Sequence, residues 1–348
     1  MDGLHLLEDL RQDGQVDSTG RFTLDCAKAR EKMKRYQLSD PHHYVLQVVQ
    51  SAVAAGAGHI EVTVDADDCW IDSDATPPDQ TELQNLFNHL FGSETEPRER
   101  SLRALATGLN SALALDPSWI RLESWDGAQG WMLLMDADGE RVQPHVAPEG
   151  QAAGVKIHVR RRHTWQVLGR FLRGIVAMHP EARALHDRCR RCPIAIQVNG
   201  RPVEPAGKFQ DVLLHAEVEG EGYRAALALP RSLLDRSLLE VVVDGVSLEA
   251  RPVDLGPLAV VGVVWSNRLA RNVSQTAVAE DSAWRGLLVE LRRHVRAMLG
   301  RVAEPGQDPA HENQGMLEAL GPPLGAGPTA GTPRDLTAHI LRAMIQQR

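Results

Sequence analysis

Residues 42–57 read HHYVLQVVQSAVAAGA, and this stretch decides which fold class the sequence favours. Just before it, Ser39-Asp40-Pro41 supplies a capping residue and a proline, a typical helix start. Apolar residues recur within the stretch at helical spacing, at Val45, Leu46, Val48, Val49, Ala52 and Val53. Gly56 and Gly58 close the segment. The pattern predicts a largely buried helix over 42–57.

The flanking segments extend this helix into an α+β pattern. Residues 60–64 alternate as a half-buried strand does, and with 69–72 they predict a hairpin. Further helices are predicted over 81–90 and 101–115, further strands over 119–125, 131–136 and 155–160, and a mobile loop over 91–100. Because helices and strands come in blocks, we expect an α+β layer with helices on one face of a mixed or antiparallel sheet.

The chain is predicted to hold a second unit and a tail. Residues 1–163 form the first unit and residues 164–302 a smaller α/β unit. The second unit's predicted elements are helices over 165–178, 181–191 and 281–302 and strands over 193–198, 222–229, 239–243 and 258–264. Residues 303–334, rich in proline and glycine, predict a flexible linker. In the final segment, 335–348, an amphipathic helix over 336–347 would dock in cis or on a partner.

Bulk composition excludes several function classes. The chain has 348 residues, enough for two domains, and a net charge of −8, which does not favour a nucleic-acid binder. No apolar run approaches the roughly 18 residues of a membrane span. Residues 1–13 lack the basic-then-apolar order of a signal peptide. We therefore expect a cytoplasmic location, with no nucleic-acid or membrane partner.

Two of the four cysteines, Cys189 and Cys192, form a CxxC pair. A zinc site usually needs four ligands, and no second Cys/His pair of matching spacing accompanies this one. A redox CxxC would be expected to open a helix after a strand, whereas this pair ends a predicted helix. The sequence favours reduced structural thiols over a metal or redox site.

Four segments of the first unit follow the order of known ATP-binding motifs. They are Gln47–Ala55, Asp72-Ser73-Asp74-Ala75-Thr76, Arg103–Leu109 and Gly154-Val155-Lys156-Ile157. By this order, residues 20–162 resemble the GHKL (Bergerat-type) ATP-binding fold of histidine kinases, type II topoisomerases, mismatch-repair ATPases and the Hsp-ninety chaperones. The resemblance implies a helix-over-sheet sandwich and ATP or ADP with Mg²⁺ as the ligand, the alternative being no cofactor.

In the first motif, the resemblance places Gln47 at the family's catalytic glutamate and Ser51 at its magnesium-holding asparagine. Spacing by four puts both side chains on one helix face. A glutamine can orient a water molecule but cannot accept its proton. The resemblance therefore implies a site without its general base, and it assigns no metal ligand.

The other three motifs are also incomplete. The resemblance makes Asp72 the adenine-reading residue, although a strand-end turn residue is the simpler interpretation. It places Arg103, Thr107 and Gly108 in the segment that cradles phosphates, where only Gly108 and the leucine after it match the family. Exposed positions beside a loop are the alternative for Arg103 and its neighbour Arg100. Gly154 opens the last strand, without the family's following threonine.

Residues 165–300 resemble the middle domain of the Hsp-ninety chaperones, above all at Asn272-Val273-Ser274-Gln275. In that family an arginine stands at the position of Gln275 and reaches the γ-phosphate. Losing a general base removes roughly 10²–10⁴ in rate. Losing an arginine finger removes roughly 10³ or more. The resemblance therefore implies that hydrolysis by the family mechanism is lost.

Three functions follow as alternatives. The first is a chaperone-like or scaffold protein, a pseudo-ATPase that binds a protein partner or client. The second is an active ATP-dependent chaperone-type ATPase that uses another carboxylate, such as Glu82, Glu94 or Glu96. The third is an interaction module with no nucleotide role.

Overall fold

A computed structural model describes residues 26–36, 38–92, 96–127, 129–147, 150, 153–162, 178–207, 209, 211–231, 234–272 and 274–303. The predicted helix over 165–178, except for its last residue, lies outside the described residues. So do the linker over 303–334, except for its first residue, and the tail helix over 336–347. Those predictions stay predictions.

Among the described residues, the first unit contains helices α1 to α5 and three short 3-10 helices; α5 matches the helix predicted over 181–191 in the second unit, but it packs in the first core. The α-helices are α1 (Cys26–Tyr36), α2 (Tyr44–Ala54), α3 (Gln80–Gln84), α4 (Pro97–Ala112) and α5 (Pro180–Arg188). The 3-10 helices are Pro41–His43, Leu86–Phe91 and Leu113–Leu115. The predicted helix start is present, because the Asp40 side chain accepts a hydrogen bond from the His42 N–H at 2.9 Å.

An eight-stranded mixed sheet underlies these helices, in the order β5-β4-β3-β6-β2-β1-β7-β8. Its strands are β1 (His59–Val64), β2 (Asp68–Ser73), β3 (Pro117–Asp126), β4 (Gln129–Asp136), β5 (Gly139–Val146), β6 (Ala153–Arg161), β7 (Ala195–Val198) and β8 (Arg201–Pro202). The sequence did not predict β5, because this edge strand is largely exposed and lacks an apolar alternation.

Helices α2 and α4 pack together over one face of this sheet and enclose the first core. Fully buried residues come from both helices and from alternate positions of the strands: Val45, Val49, Val62, Leu109, Ile120 and Leu122. Gly108 lets the helices approach closely, since a Cβ there would lie 3.1 Å from the Tyr44 carbonyl oxygen. The buried helix predicted over 42–57, which the structure forms as α2 over Tyr44–Ala54, therefore organises the core.

Two local predictions differ from the structure. The sequence predicts a loop over 91–100, but α4 already begins at Pro97, where Glu96 and Glu99 form a capping box. The first strand predicted in the second unit, over 193–198, is β7, and it instead pairs in parallel with β1 in the first sheet. Its sequence is typical of a strand but does not specify which sheet it joins, because pairing partners are set by tertiary contacts.

Within the described residues, the second unit is a six-stranded mixed sheet packed against one long helix. It contains β9 (Val212–Gly220), β10 (Tyr223–Pro230), β11 (Ser237–Val243), β12 (Val246–Ser247), β13 (Arg251–Val253), β14 (Val261–Trp265) and α6 (Ser282–Ala303). The order is β12-β11-β14-β10-β9, with β13 on β11. Its core joins apolar residues of α6 to the sheet, among them Trp284, Leu291 and Val295.

Both units combine mixed sheets with packed helices, so the predicted α+β class is confirmed. Among the described residues, no helix has both the length and the apolar composition needed to cross a membrane. The helical layers instead bury one face against each sheet.

Candidate functional site

The first cavity lies between α2, α4 and the sheet, where the resemblance expects a nucleotide. Its volume is about 20 Å³. The lining is mostly apolar, with residues from both helices and from β2 and β6, including Val48, Ala52, Ile71, Leu105, Val155 and Ile157. A space of this size accommodates about one water molecule.

Three serines supply part of the polar lining of the first cavity. Ser51 Oγ lies 3.1 Å from Ser101 Oγ, so the two hydroxyls hydrogen-bond across the helix pair. Ser73 at the end of β2 also lines the cavity and is 6% exposed. Ser51, which the resemblance places at the magnesium-holding position, thus lines the cavity, but its hydroxyl is hydrogen-bonded to Ser101 of α4.

Arg98 closes one side of the first cavity. Its Nη1 donates to the Thr76 carbonyl at 3.1 Å and its Nη2 donates to the Pro77 carbonyl at 2.9 Å. Its Nε donates to Glu82 Oε1 at 2.8 Å, and its Nη2 forms an ion pair with the same carboxylate. The guanidinium therefore ties the first turn of α4 to the segment after β2.

Asp72, the predicted adenine-reading residue, does not line this cavity. Side chains alternate along β2, and Cys69, Ile71 and Ser73 are the ones that face the helices. Asp72 lies on the opposite face, where its carboxylate is 3.6 Å from Lys156 Nζ. Burial raises the pKa of Asp72, and Lys156 opposes that shift. The alternation of the strand, followed one residue further, would have identified Ser73.

The predicted phosphate-cradling segment lies inside α4. Main-chain N–H groups beyond a helix's first turn are used within the helix, so residues 103–107 cannot offer them to a phosphate. Arg103 Nη1 donates to the Gly92 carbonyl at 2.7 Å. Thr107 is buried at 3% exposure. Gly108 packs against α2, where a Cβ would lie 3.2 Å from Gln47 Cβ.

Packing within the first sheet explains why residue 154 is a glycine. It pairs with Trp125 across β6 and β3. A Cβ at this position would lie 2.7 Å from Trp125 Cζ2 and 2.9 Å from the Ser73 carbonyl. Glycine is therefore needed to fit the indole and the neighbouring backbone, whatever else binds nearby.

A second cavity, of about 30 Å³, brings Gln47 and Gln275 together between the two units. Gln47 is 4% exposed, and its Oε1 has no hydrogen-bond partner among the described residues. Gln275 has a left-handed φ of 60° and its Nε2 donates to the Asn272 carbonyl at 3.3 Å. The two glutamines thus line the same cavity, which is separate from the first cavity.

Gln50 and Arg271 form a contact beside this cavity that the sequence patterns did not indicate. Arg271 Nη1 donates to Gln50 Oε1 at 2.6 Å. Gln50 is 1% exposed. A glutamine within a helix predicted to be largely buried was the available signal, since buried amides are normally hydrogen-bonded. Its partner is 221 residues away in sequence, so no local pattern could name it.

The carboxylates considered as substitute bases are committed elsewhere or lie outside the described residues. Burial works to raise the pKa of Glu82, but its bonds from Arg98 and the Asp79 N–H outweigh that and lower the pKa. Glu96 caps α4. Glu94 lies outside the described residues. A carboxylate held by an arginine is a weak proton acceptor, so Glu82 is poorly suited to activate water.

These observations test whether the site fits Mg²⁺ and a nucleotide, and the fit is poor. Ligand pockets for molecules of that size measure roughly 300–1,000 Å³, far above the first cavity. Magnesium prefers carboxylate and substrate oxygens, whereas α2 offers Gln47 and Ser51. The described residues contain no group of three or more His, Cys, Asp or Glu side chains placed to hold a metal ion.

The CxxC pair lies where α5 ends. Cys189 and Cys192 are free thiols in the structure. Burial raises the pKa of both, and that of Cys192 reaches about 11 despite an opposing bond from the Ile194 N–H. Thiols with raised pKa values react slowly, because the thiolate is the reactive form.

No protein-family model matches the chain, and no curated protein matches it either. The likeness to the GHKL fold therefore depends on the order of the elements and on the motif positions alone.

Proposed function

We propose that this chain is a chaperone-like or scaffold protein with a degenerate GHKL-type fold. In this proposal it binds nucleotide weakly or not at all, has lost hydrolysis, and acts through a protein partner or client. The observation that carries the proposal is the first cavity, whose volume of about 20 Å³ is limited by side chains of the chain itself. A fold that keeps its layers without room for a ligand is suited to presenting surfaces rather than to turnover.

The arrangement of the two units supports the family relationship within this proposal. A helix pair covers a mixed sheet, and the loop that carries Gln275 reaches the same helix as Gln47. Two glutamines, neither of which ionises, therefore line one cavity, and they occupy the sequence positions where the resemblance would require a carboxylate and an arginine. This pairing favours a pseudo-ATPase over an active ATPase.

Calorimetry and thermal unfolding with ATP, ADP and Mg²⁺ test the nucleotide part of the proposal. A ligand that binds only the folded state raises its stability, by about 2.7 kcal/mol at one hundred times its Kd. We expect no shift, or a small one at millimolar nucleotide, and no phosphate release above that of a buffer blank. Steady, saturable phosphate release would contradict the proposal and favour the active ATPase.

Aggregation of reduced insulin tests the chaperone-like part. We expect the full chain to suppress light scattering at stoichiometric amounts, equally with and without Mg–ATP. A matched amount of an inert globular protein controls for crowding. No suppression would argue against the chaperone-like branch and favour the interaction module with no nucleotide role.

A further inference from the structure

The contact between the two units centres on the turn that joins β11 and β12. Asp244 and Gly245 have φ angles of 43° and 81°, which is typical of a two-residue type I′ hairpin turn. A Cβ at Gly245 would lie 2.6 Å from Cys192 Sγ and 3.1 Å from Val53 Cγ2. The turn therefore lies directly against α2 and against the segment that follows α5.

Gln50 connects α2 to two separate parts of the second unit. Its Nε2 donates to the Val243 carbonyl at 3.0 Å, and its Oε1 accepts from Arg271 Nη1 at 2.6 Å. An amide supplies both a donor and an acceptor, as this position requires. Because the side chain is 1% exposed, water does not compete for either bond.

A second polar contact joins α4 to the same turn. Arg100 Nε lies 3.3 Å from Asp244 Oδ2, and the two side chains are 13% and 4% exposed. The Asp244 N–H donates to Asn267 Oδ1 at 2.9 Å, which holds the turn within its own unit. Two residues further on, Val246 of β12 is buried in the core of the first unit. The β11–β12 hairpin is thus held by polar contacts at its turn and by an apolar contact through Val246.

We propose that Gln50, Arg271, Val243, Arg100 and Asp244 form an interunit clamp that keeps the two units docked without any bound ligand. Every donor and acceptor named in it comes from the chain itself, at distances of 2.6–3.3 Å. The clamp makes the two units one fixed body rather than two bodies that a ligand must bring together. It goes beyond the proposed function and does not depend on the family relationship.

Hydrogen exchange on the full chain tests the clamp through Gln50→Leu, Arg271→Leu and the double variant. Losing a hydrogen bond to a charged group changes the equilibrium between the closed and the locally open state roughly 10- to 100-fold. We expect exchange of α2 and of the β11–β12 hairpin to rise by that factor in each single variant. Exchange in the double variant should be only slightly faster than in Gln50→Leu, because the two side chains form one contact.

Arg268→Leu is the matched control for Arg271→Leu. Arg268 lies in the same unit, is 64% exposed in its side chain, and pairs with Glu221 of that unit at 2.9 Å. We expect no change in exchange at the unit contact. The clamp is overturned if Arg271→Leu and Gln50→Leu leave exchange at the unit contact as unchanged as Arg268→Leu does. It is also overturned if the effects of the two single variants on exchange simply add in the double variant.

A glycine pair keeps the test decisive if the Gln50 variants fail to fold. Gly245 and Gly200 both have left-handed φ angles, 81° and 73°, but a Cβ at Gly200 meets nothing within 4 Å. Alanine therefore strains the backbone similarly at both, and only Gly245→Ala also disturbs the unit contact. We expect faster exchange across α2 in Gly245→Ala and not in Gly200→Ala; equal effects would overturn the clamp.

The same exchange experiment is repeated with Mg–ATP to test whether a ligand affects the contact between the units. With the unaltered chain and millimolar Mg–ATP, we expect exchange at the unit contact to stay unchanged. Protection that rises with Mg–ATP would overturn a ligand-free clamp. Steady phosphate release that leaves this contact unchanged would contradict the proposed function while the clamp stands, so the two failures are distinguishable.

Discussion

At the scale of single residues, Glu181 shows how one buried charge joins distant segments. It is fully buried in the first turn of α5 and forms an ion pair with Arg161 of β6, itself 4% exposed. His42 Nδ1 lies 2.8 Å from the same carboxylate. Burial works to raise the pKa of Glu181, but the His42 bond and the Arg161 charge outweigh it and lower the pKa to about 2.

This lowered pKa predicts a loss of stability in acid. The carboxylate's contribution is present above its ordinary pKa of 4.5 and disappears as the pH falls toward 2. A shift of this size corresponds to about 3 kcal/mol. We expect Glu181→Gln to lower the free energy of unfolding at pH 7 and to flatten its fall between pH 4.5 and 2, as measured by urea denaturation.

Glu280→Gln is the control for this prediction. Glu280 is 71% exposed in its side chain and pairs with Arg251 on the surface. Exposed pairs contribute little to stability, so the acid profile should match that of the unaltered chain. An acid profile of Glu181→Gln that is as steep as the original would contradict the assignment.

At the scale of elements, the crossing of α2 and α4 depends on a glycine that the sequence suggested for another role. Gly108 resembled part of a phosphate-binding segment, but in α4 it lies against Tyr44 and Gln47 of α2. A helical glycine is normally unfavourable by about 0.5–1 kcal/mol relative to alanine. Its position is explained by the close approach of the two backbones.

Two alanine substitutions separate helix propensity from packing. A Cβ at Gly286, in α6, would meet nothing within 4 Å, whereas a Cβ at Gly108 would lie 3.1 Å from the Tyr44 carbonyl oxygen. We expect Gly286→Ala to raise the free energy of unfolding by about 0.5–1 kcal/mol. Gly108→Ala should instead lower it by about 1 kcal/mol through overpacking. Equal gains in chemical denaturation would refute the packing role.

At the scale of the whole molecule, the two units share core residues and side-chain bonds. Val246 belongs to the second sheet but is buried in the first core at 3% exposure. The strand β7 lies late in sequence but extends the first sheet through β1. At these two points, a residue or strand therefore packs in a different unit from its neighbours in sequence, and both points lie close to the contact between the units.

Val246→Ala tests this shared core. Removing buried methyl groups leaves a cavity, and we expect the free energy of unfolding to fall by about 1–3 kcal/mol. Hydrogen exchange should increase across α2 in the first unit. Val289→Ala, at a side chain 58% exposed on α6, should change neither measurement. An effect of Val246→Ala confined to β11 and β12 would speak against a shared core.

Local patterns in the sequence were enough to establish the α+β class, the buried helix over 42–57 with its cap, and the hairpin that follows. These features follow from hydrophobic periodicity and turn residues, which act over a few positions. The resemblance also pointed to Gln47 and Gln275, which line one cavity in the structure, and the roles it assigns to them stay predictions.

The remaining features were settled by tertiary packing. It put β7 beside β1 in the first sheet, buried Val246 in the first core, and gave Gln50 a partner 221 residues away. The physical reason is the range of the interactions. Alternation and capping are local, whereas the closing of the first cavity and the clamp depend on which distant side chains meet when the two sheets pack.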